Sequence, residues 1–164
     1  METKIETIVS HFGFSNLDDA TLNLSKVLCH PKQEFSGSAV VPKVDSRKIA
    51  DEVCKRLERR PYERLICGCI DFSALLVGIG KYFGHVCEPV EKNADYLQGN
   101  YHVLVRDETS NRLRDSTIYR SVYDWQAGKW VLYKDGFDKS RNVWVLSQGI
   151  LDMNDIPEYL LKKV

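Results

Sequence analysis

The hydrophobic pattern of the chain changes period near residue 84, and this change constrains the fold more than any other feature. Before that point, apolar residues recur every three to four positions, as on one face of a helix. After it, the segments are short, β-branched or aromatic, and separated by turn residues, as in an antiparallel sheet. These segments are HVCEPV, YHVLVRD, NRLRDSTIY, KWVLYKDG and RNVWVLSQG. Helices followed by strands predict an α+β fold.

The helical part divides into four segments, which are ETKIETIVSHF, NLDDATLNLSKVL, DSRKIADEVCKRLERRP and CIDFSALLVGIGKYFG. Ser46 is expected to cap the third helix, and Pro61 ends it. The fourth helix, residues 69–84, carries a broad apolar stripe and ends at Gly84. The tail DMNDIPEYLLKKV predicts a short terminal helix. The 164 residues are therefore expected to form a single domain, with a helical region over 1–42 and C-terminal strands with the short helix over 121–164.

Composition narrows the function classes. The chain has 23 basic and 23 acidic residues, and this balance disfavours binding to a nucleic-acid backbone. The longest apolar run, SALLVGIG, is too short to cross a bilayer, so no membrane partner is expected. Five cysteines cannot all pair within one chain, and METKIETIVSHFGF lacks the apolar region of a secretory signal. We therefore expect a cytoplasmic protein with reduced thiols.

Cys69 has the surroundings that a cysteine nucleophile needs. It stands at the predicted start of the 69–84 helix, where the first backbone N–H groups carry partial positive charge. That charge favours the thiolate, and the same N–H groups can stabilise an oxyanion. Gly68 allows the chain to turn sharply and a substrate to approach the backbone. The pattern predicts a nucleophile with Gly68 beside the oxyanion site, although a buried and inert thiol remains the alternative.

A nucleophile also needs a base, and His102 is the best placed of the four histidines. It stands at the head of the strand pattern YHVLVRD. Asp115 follows in RDST on the expected return strand, where its carboxylate could orient the imidazole. Cys69, His102 and Asp115 are therefore predicted to form a catalytic triad.

These three motifs together resemble the transglutaminase-like family of the papain-like cysteine enzymes. GCIDFSALLVGIGKYFG, YHVLV and RDST follow one another in the family's order over a core of about residues 46–120. The resemblance implies a papain-like fold, a nucleophile helix packed on an antiparallel sheet, and no cofactor or metal. It implies an amide or peptide substrate, attacked to form an acyl-enzyme, as in a cysteine protease, amidase, deamidase or transglutaminase.

The chain departs from this family at two places. Leu113 and Arg114 precede Asp115, where family members often carry a tryptophan. The family's second oxyanion donor comes from an upstream side chain, for which Tyr62 and Gln33 are the candidates here. We expect hydrolysis rather than transfer to an amine, because nothing in the sequence indicates a binding site for an amine acceptor.

Other interpretations stay open. The same fold could serve as a non-catalytic module that binds a protein partner, or as a phage or pathogen effector. Cys67 could act as a resolving thiol that protects Cys69. A zinc site would use these two cysteines with His85 and Cys87, but a helix of about 16 residues, roughly 24 Å long, would separate the two pairs. The sequence does not assign an oligomeric state.

Overall fold

The computed structural model describes residues 3–29, 43–59, 64–92, 102–117, 121–124, 129–132, 136–138, 143–145, 149–155 and 161–164. Within these ranges the helices are α1 (Lys4–Phe12), α2 (Leu17–Asn23), α3 (Ser46–Arg59) and α4 (Cys69–Tyr82). The strands are β1 (Leu28–Cys29), β2 (Leu65–Ile66), β3 (Cys87–Lys92), β4 (His102–Asp107), β5 (Arg112–Asp115), β6 (Ser121–Asp124), β7 (Lys129–Leu132), β8 (Gly136–Asp138), β9 (Val143–Val145), β10 (Gly149–Asp152) and β11 (Leu161–Lys163). The predicted α+β class is confirmed.

The first two helices begin and end where local chemistry places them. Thr3 and Glu6 form a capping box at the start of α1, and Gly13 ends the helix at φ 69°. Asn16 caps α2 by accepting the N–H of Asp19 at 2.8 Å. A 3-10 turn, Leu24–Lys26, then leads into β1, so the second predicted helix is shorter than its sequence pattern suggested.

The predicted cap of α3 is wrong by one residue. Asp45 accepts the N–H groups of Arg47 and Lys48 at 3.1 and 3.2 Å, so it satisfies the start of the helix. The Ser46 hydroxyl instead donates to the carbonyl of Ala74 at 2.6 Å. Since Ala74 lies in α4, this serine joins two helices rather than capping one.

The main sheet has five strands in the order β10-β5-β4-β3-β11, and the adjacent strands are antiparallel. The predicted hairpin between β4 and β5 is present, and Asn111 adopts φ 53° in its turn. The strands β6–β7 and β8–β9 pair as separate two-stranded ribbons. The strand-rich half of the chain is therefore not one continuous sheet within the described residues.

The C-terminal tail is described at 152–155 and 161–164. These residues form a 3-10 turn, Met153–Asp155, and strand β11, whereas the middle of the predicted terminal helix lies outside the described residues. Strand β11 pairs with β3, where Leu161 lies opposite Lys92. Strand β11 thus forms an edge of the five-stranded sheet.

Helix α4 is the centre of the helical layer. Its middle is buried, with Leu75 and Ile79 fully inaccessible to solvent. Val105 of β4 belongs to the same core, whereas Leu104 and Leu113 join a second cluster with Val90 and Met153. Because side chains alternate along a strand, one face of the sheet carries α4 and the other carries the smaller cluster. None of the helices described is long and apolar enough to cross a membrane.

Candidate functional site

Cys69 lies at the head of α4, as its sequence pattern predicts. A short parallel ladder pairs β1 with β2 and leads the chain to this point, with Cys29 opposite Ile66. Gly68 then takes the N-cap position in an extended conformation, with φ −94° and ψ −177°. Cys69 is the first helical residue and is partly exposed. The first turn of a helix therefore places its partial positive charge beside a thiol that solvent can reach.

Asp71 is the acidic residue of this first turn. Burial raises the pKa of its carboxyl above the ordinary value, and hydrogen bonding with the Gly68 backbone offsets only part of the rise. The Asp71 N–H in turn donates to the Gly68 carbonyl at 3.1 Å. Asp71 thus helps to hold the turn that begins at Cys69.

His102 is the first residue of β4, and its backbone lies opposite Lys92 of β3. The next residue, Val103, accepts a hydrogen bond at its carbonyl from the Ser73 hydroxyl at 3.0 Å. Ser73 lies one turn after Cys69 in α4. The structure therefore brings the beginning of the His102 strand to the first two turns of the Cys69 helix. The His102 side chain lies outside the described residues.

Asp115 ends strand β5 and is 2% exposed. Its Oδ1 accepts the N–H of Thr117 at 2.9 Å, which fixes the carboxylate at the point where the strand stops. On its other side, Gly149 of β10 pairs with it. Strand β5 neighbours β4, so the residues proposed as base and orienter stand on adjacent strands.

Several sequence-based assignments fall outside the described residues. Tyr62 and Gln33, the two candidates for the second oxyanion donor, are among them. The side chains of the three tryptophans are also outside this part. Cys67 lies two residues before Cys69 and is partly exposed, and neither cysteine forms a disulfide bond.

A buried charge network links the sheet to α2, and sequence reasoning missed it. The Asp107 carboxylate is 0% exposed and Oδ2 accepts from Arg114 Nε at 3.0 Å. Arg114 Nη1 also donates to Asp18 Oδ1 at 2.7 Å and to the Thr21 hydroxyl at 3.2 Å. His85 Nδ1 lies 2.9 Å from the same Asp107 oxygen. The Asp107 carboxylate thus joins the connection between α4 and β3 to strand β5 and, through Arg114, to α2.

The ionisation of Asp107 follows from these contacts. Burial alone would raise the pKa of the carboxyl, but the Arg114 hydrogen bond and charge, together with hydrogen bonds from Ser110, lower it overall. A signal for this network was present in the sequence. Arg114 and Asp107 occupy strand positions in phase with the inward-facing Val105, where a charged side chain must find a partner.

Cys87 lies near this network rather than near the candidate nucleophile. Burial raises the pKa of its thiol to about 12, and the Asp107 charge adds to the effect. Helix α4 runs unbroken from Cys69 to Tyr82 and spans roughly 21 Å for its 14 residues. The zinc interpretation therefore fails, because its two ligand pairs lie at opposite ends of this helix. No group of three metal-binding side chains occurs elsewhere in the described ranges either.

A groove of about 870 Å³ lies between α1, the start of α3 and the second half of α4. Lys4, Ser46, Gly78 and Tyr82 are among the residues that line it. Cys69 does not line this groove. The groove and the candidate nucleophile Cys69 therefore lie at different parts of α4.

Comparison with known proteins does not assign the chain, because no family model matches it and no curated protein matches it.

Proposed function

We propose that this chain is a thiol-dependent enzyme with a papain-like, transglutaminase-like core that acts on an amide or peptide bond. Cys69 is the nucleophile, His102 is the general base and acid, and Asp115 orients His102. Gly68 lies beside the oxyanion site. The substrate is a protein or peptide that presents a carboxamide or a scissile peptide bond.

The observation that supports this proposal most directly is that the start of α4 lies against the start of β4. Cys69 is the first residue of α4, and the Ser73 hydroxyl, one turn later, bonds the carbonyl next to His102. Asp115 is buried at the end of the adjacent strand with its carboxylate already hydrogen-bonded. A hydrogen bond therefore joins the helix that carries Cys69 to the strand that carries His102, and Asp115 lies on the neighbouring strand, which supports the proposed triad.

The chemistry balances with these groups alone. His102 takes the thiol proton, and the Cys69 sulfur forms a bond to the carbonyl carbon while the helix N–H groups stabilise the oxyanion. The carbon–nitrogen bond then breaks, and His102 gives the proton to the leaving amine or ammonia. Water, activated by His102, attacks the thioester and releases the acid and the thiol. An amine in place of water would give transamidation.

Thiol reactivity tests the first step without knowledge of the substrate. Iodoacetamide labelling of the native protein is followed site by site by mass spectrometry from pH 5 to 9. Cys69 is expected to react at least about tenfold faster than Cys67 at pH 6, because both thiols are partly exposed and only a lowered thiol pKa leaves thiolate at that pH. His102→Ala should abolish the difference. His11→Ala, on the exposed end of α1, is the matched control and should not change it.

A second assay separates the reaction classes. Glutamine-containing peptides are incubated with the protein and analysed for cleavage, for ammonia release, and for incorporation of an added amine. Cys69→Ala should remove every product. Slow labelling of Cys69 in the wild-type protein, or a profile indifferent to His102→Ala, would refute the activated nucleophile and favour a protein-binding module on the same fold.

A further inference from the structure

We infer that Ser73 is a positioning residue for the candidate triad: its hydroxyl fixes the His102 end of β4 against the helix that carries Cys69. This inference rests on the proposed function and adds to it a residue that does not touch the substrate. It predicts that the reactivity of Cys69 depends on a hydrogen bond made one helical turn away.

The geometry of the contact supports this role. Ser73 is 4% exposed and Val103 is fully buried, so the hydrogen bond between them is shielded from water. The donor and acceptor are 30 residues apart in sequence, and their distance is 3.0 Å. On one side of this bond, Cys69 lies four residues earlier in α4. On the other side, His102 is the adjacent residue of β4.

Other contacts in the described residues also hold this end of β4, and they differ in kind. The described β4–β5 ladder runs from Val105 to Asp107 and does not reach Val103. Strand β3 pairs with β4 along its whole length, and at the start of β4 Lys92 lies opposite His102. Against α4, Val105 makes apolar contacts, which are not directional. A hydrogen bond is directional, so the Ser73 contact ties the start of β4 to one turn of α4.

Ser73→Ala tests the inference, with Ser46→Ala as the matched control. Both serines donate to a main-chain carbonyl across an element boundary, and both changes remove one hydroxyl. The Ser46 bond, however, goes to Ala74 within the helical layer and does not touch β4. Ser73→Thr retains the hydroxyl and serves as the conservative variant.

The measurement is the pH profile of Cys69 alkylation in the folded proteins. Ser73→Ala is expected to move the midpoint of the profile upward by about one pH unit, which slows labelling at pH 6 by about tenfold. Ser46→Ala should leave the midpoint unchanged, although both variants lose stability. Ser73→Thr should restore the wild-type midpoint. If Ser73→Ala does not fold, Ser73→Cys replaces it, because a thiol is a weak hydrogen-bond donor and should move the midpoint in the same direction.

The outcomes distinguish this inference from the proposed function. A wild-type protein whose Cys69 is fast and dependent on His102, together with a Ser73→Ala profile like that of Ser46→Ala, would overturn the positioning role alone. A folded Ser73→Thr variant with the His102→Ala profile would overturn it as well. A wild-type protein whose Cys69 is slow at every acidic pH would overturn the proposed function itself, and the positioning role with it.

Discussion

The buried pair of Asp107 and Arg114 offers the sharpest test of what holds this fold together. Replacing Asp107 with alanine removes the acceptor for Arg114 Nε at 3.0 Å and the partner of His85 at 2.9 Å. Arg114 is 1% exposed, so water cannot take over the lost contact. The variant therefore leaves a guanidinium buried with part of its hydrogen bonding missing.

The size of the effect follows from the remaining contacts. Removing one partner of a buried ion pair costs about 3–5 kcal/mol. Asp18 still accepts from Arg114 at 2.7 Å, and its half-exposed carboxylate keeps part of the charge compensated. We therefore expect a loss near the low end, about 3 kcal/mol. With a urea dependence of about 2 kcal/mol/M, the unfolding midpoint should fall by about 1.5 M.

Urea unfolding followed by far-UV circular dichroism at pH 7 measures this shift. Asp51→Ala is the control, because Asp51 pairs with Lys55 on the exposed face of α3, where screening leaves little net stabilisation. Its midpoint should stay close to that of the wild type. The reasoning is refuted if Asp107→Ala unfolds at the same urea concentration as Asp51→Ala.

Three other predictions follow from the same region. The pKa of the Asp107 carboxyl is lower in the folded protein than in the unfolded chain. The stabilisation that this carboxylate gives is therefore present above its unfolded pKa and is lost as the pH falls through its folded pKa. The difference in unfolding free energy between wild type and Asp107→Ala should accordingly narrow below about pH 4. A constant gap from pH 7 to pH 3 would contradict this. Cys87, with a thiol pKa raised to about 12, should resist alkylation in the native protein at pH 8 and react once the protein is unfolded in urea; rapid native labelling would argue against its burial. A Cβ atom at Gly80 would lie 2.6 Å from the Cys87 sulfur. Gly80→Ala should therefore destabilise the wild-type protein by about 1–2 kcal/mol, but stabilise a Cys87→Ala variant by up to about 1 kcal/mol, because the sulfur is then absent. Thermal or urea unfolding measures both effects. Equal effects in both backgrounds would exclude the steric clash.

Local patterns predicted much of the element order. Helix α4 begins at Cys69 as its sequence indicated, since a helix start depends on neighbours within one turn. The β4–β5 hairpin was equally visible, because strand alternation and turn residues are close together in sequence. The errors occurred where local signals were ambiguous. Ser46 and Asp45 both suit a helix cap, and only the proximity of α4 decided that the serine bonds to Ala74.

The sequence by itself determined the α+β order and the chemical types at three candidate positions, Cys69, His102 and Asp115. The tertiary structure decided which residues hold the surrounding elements together. Arg114 bonds Asp18 across 96 residues, and Ser73 bonds Val103 across 30, and neither pairing leaves a periodic trace in the sequence. The physical reason is that periodicity reports which face of an element is buried, whereas the partner of a buried polar group depends on how whole elements pack.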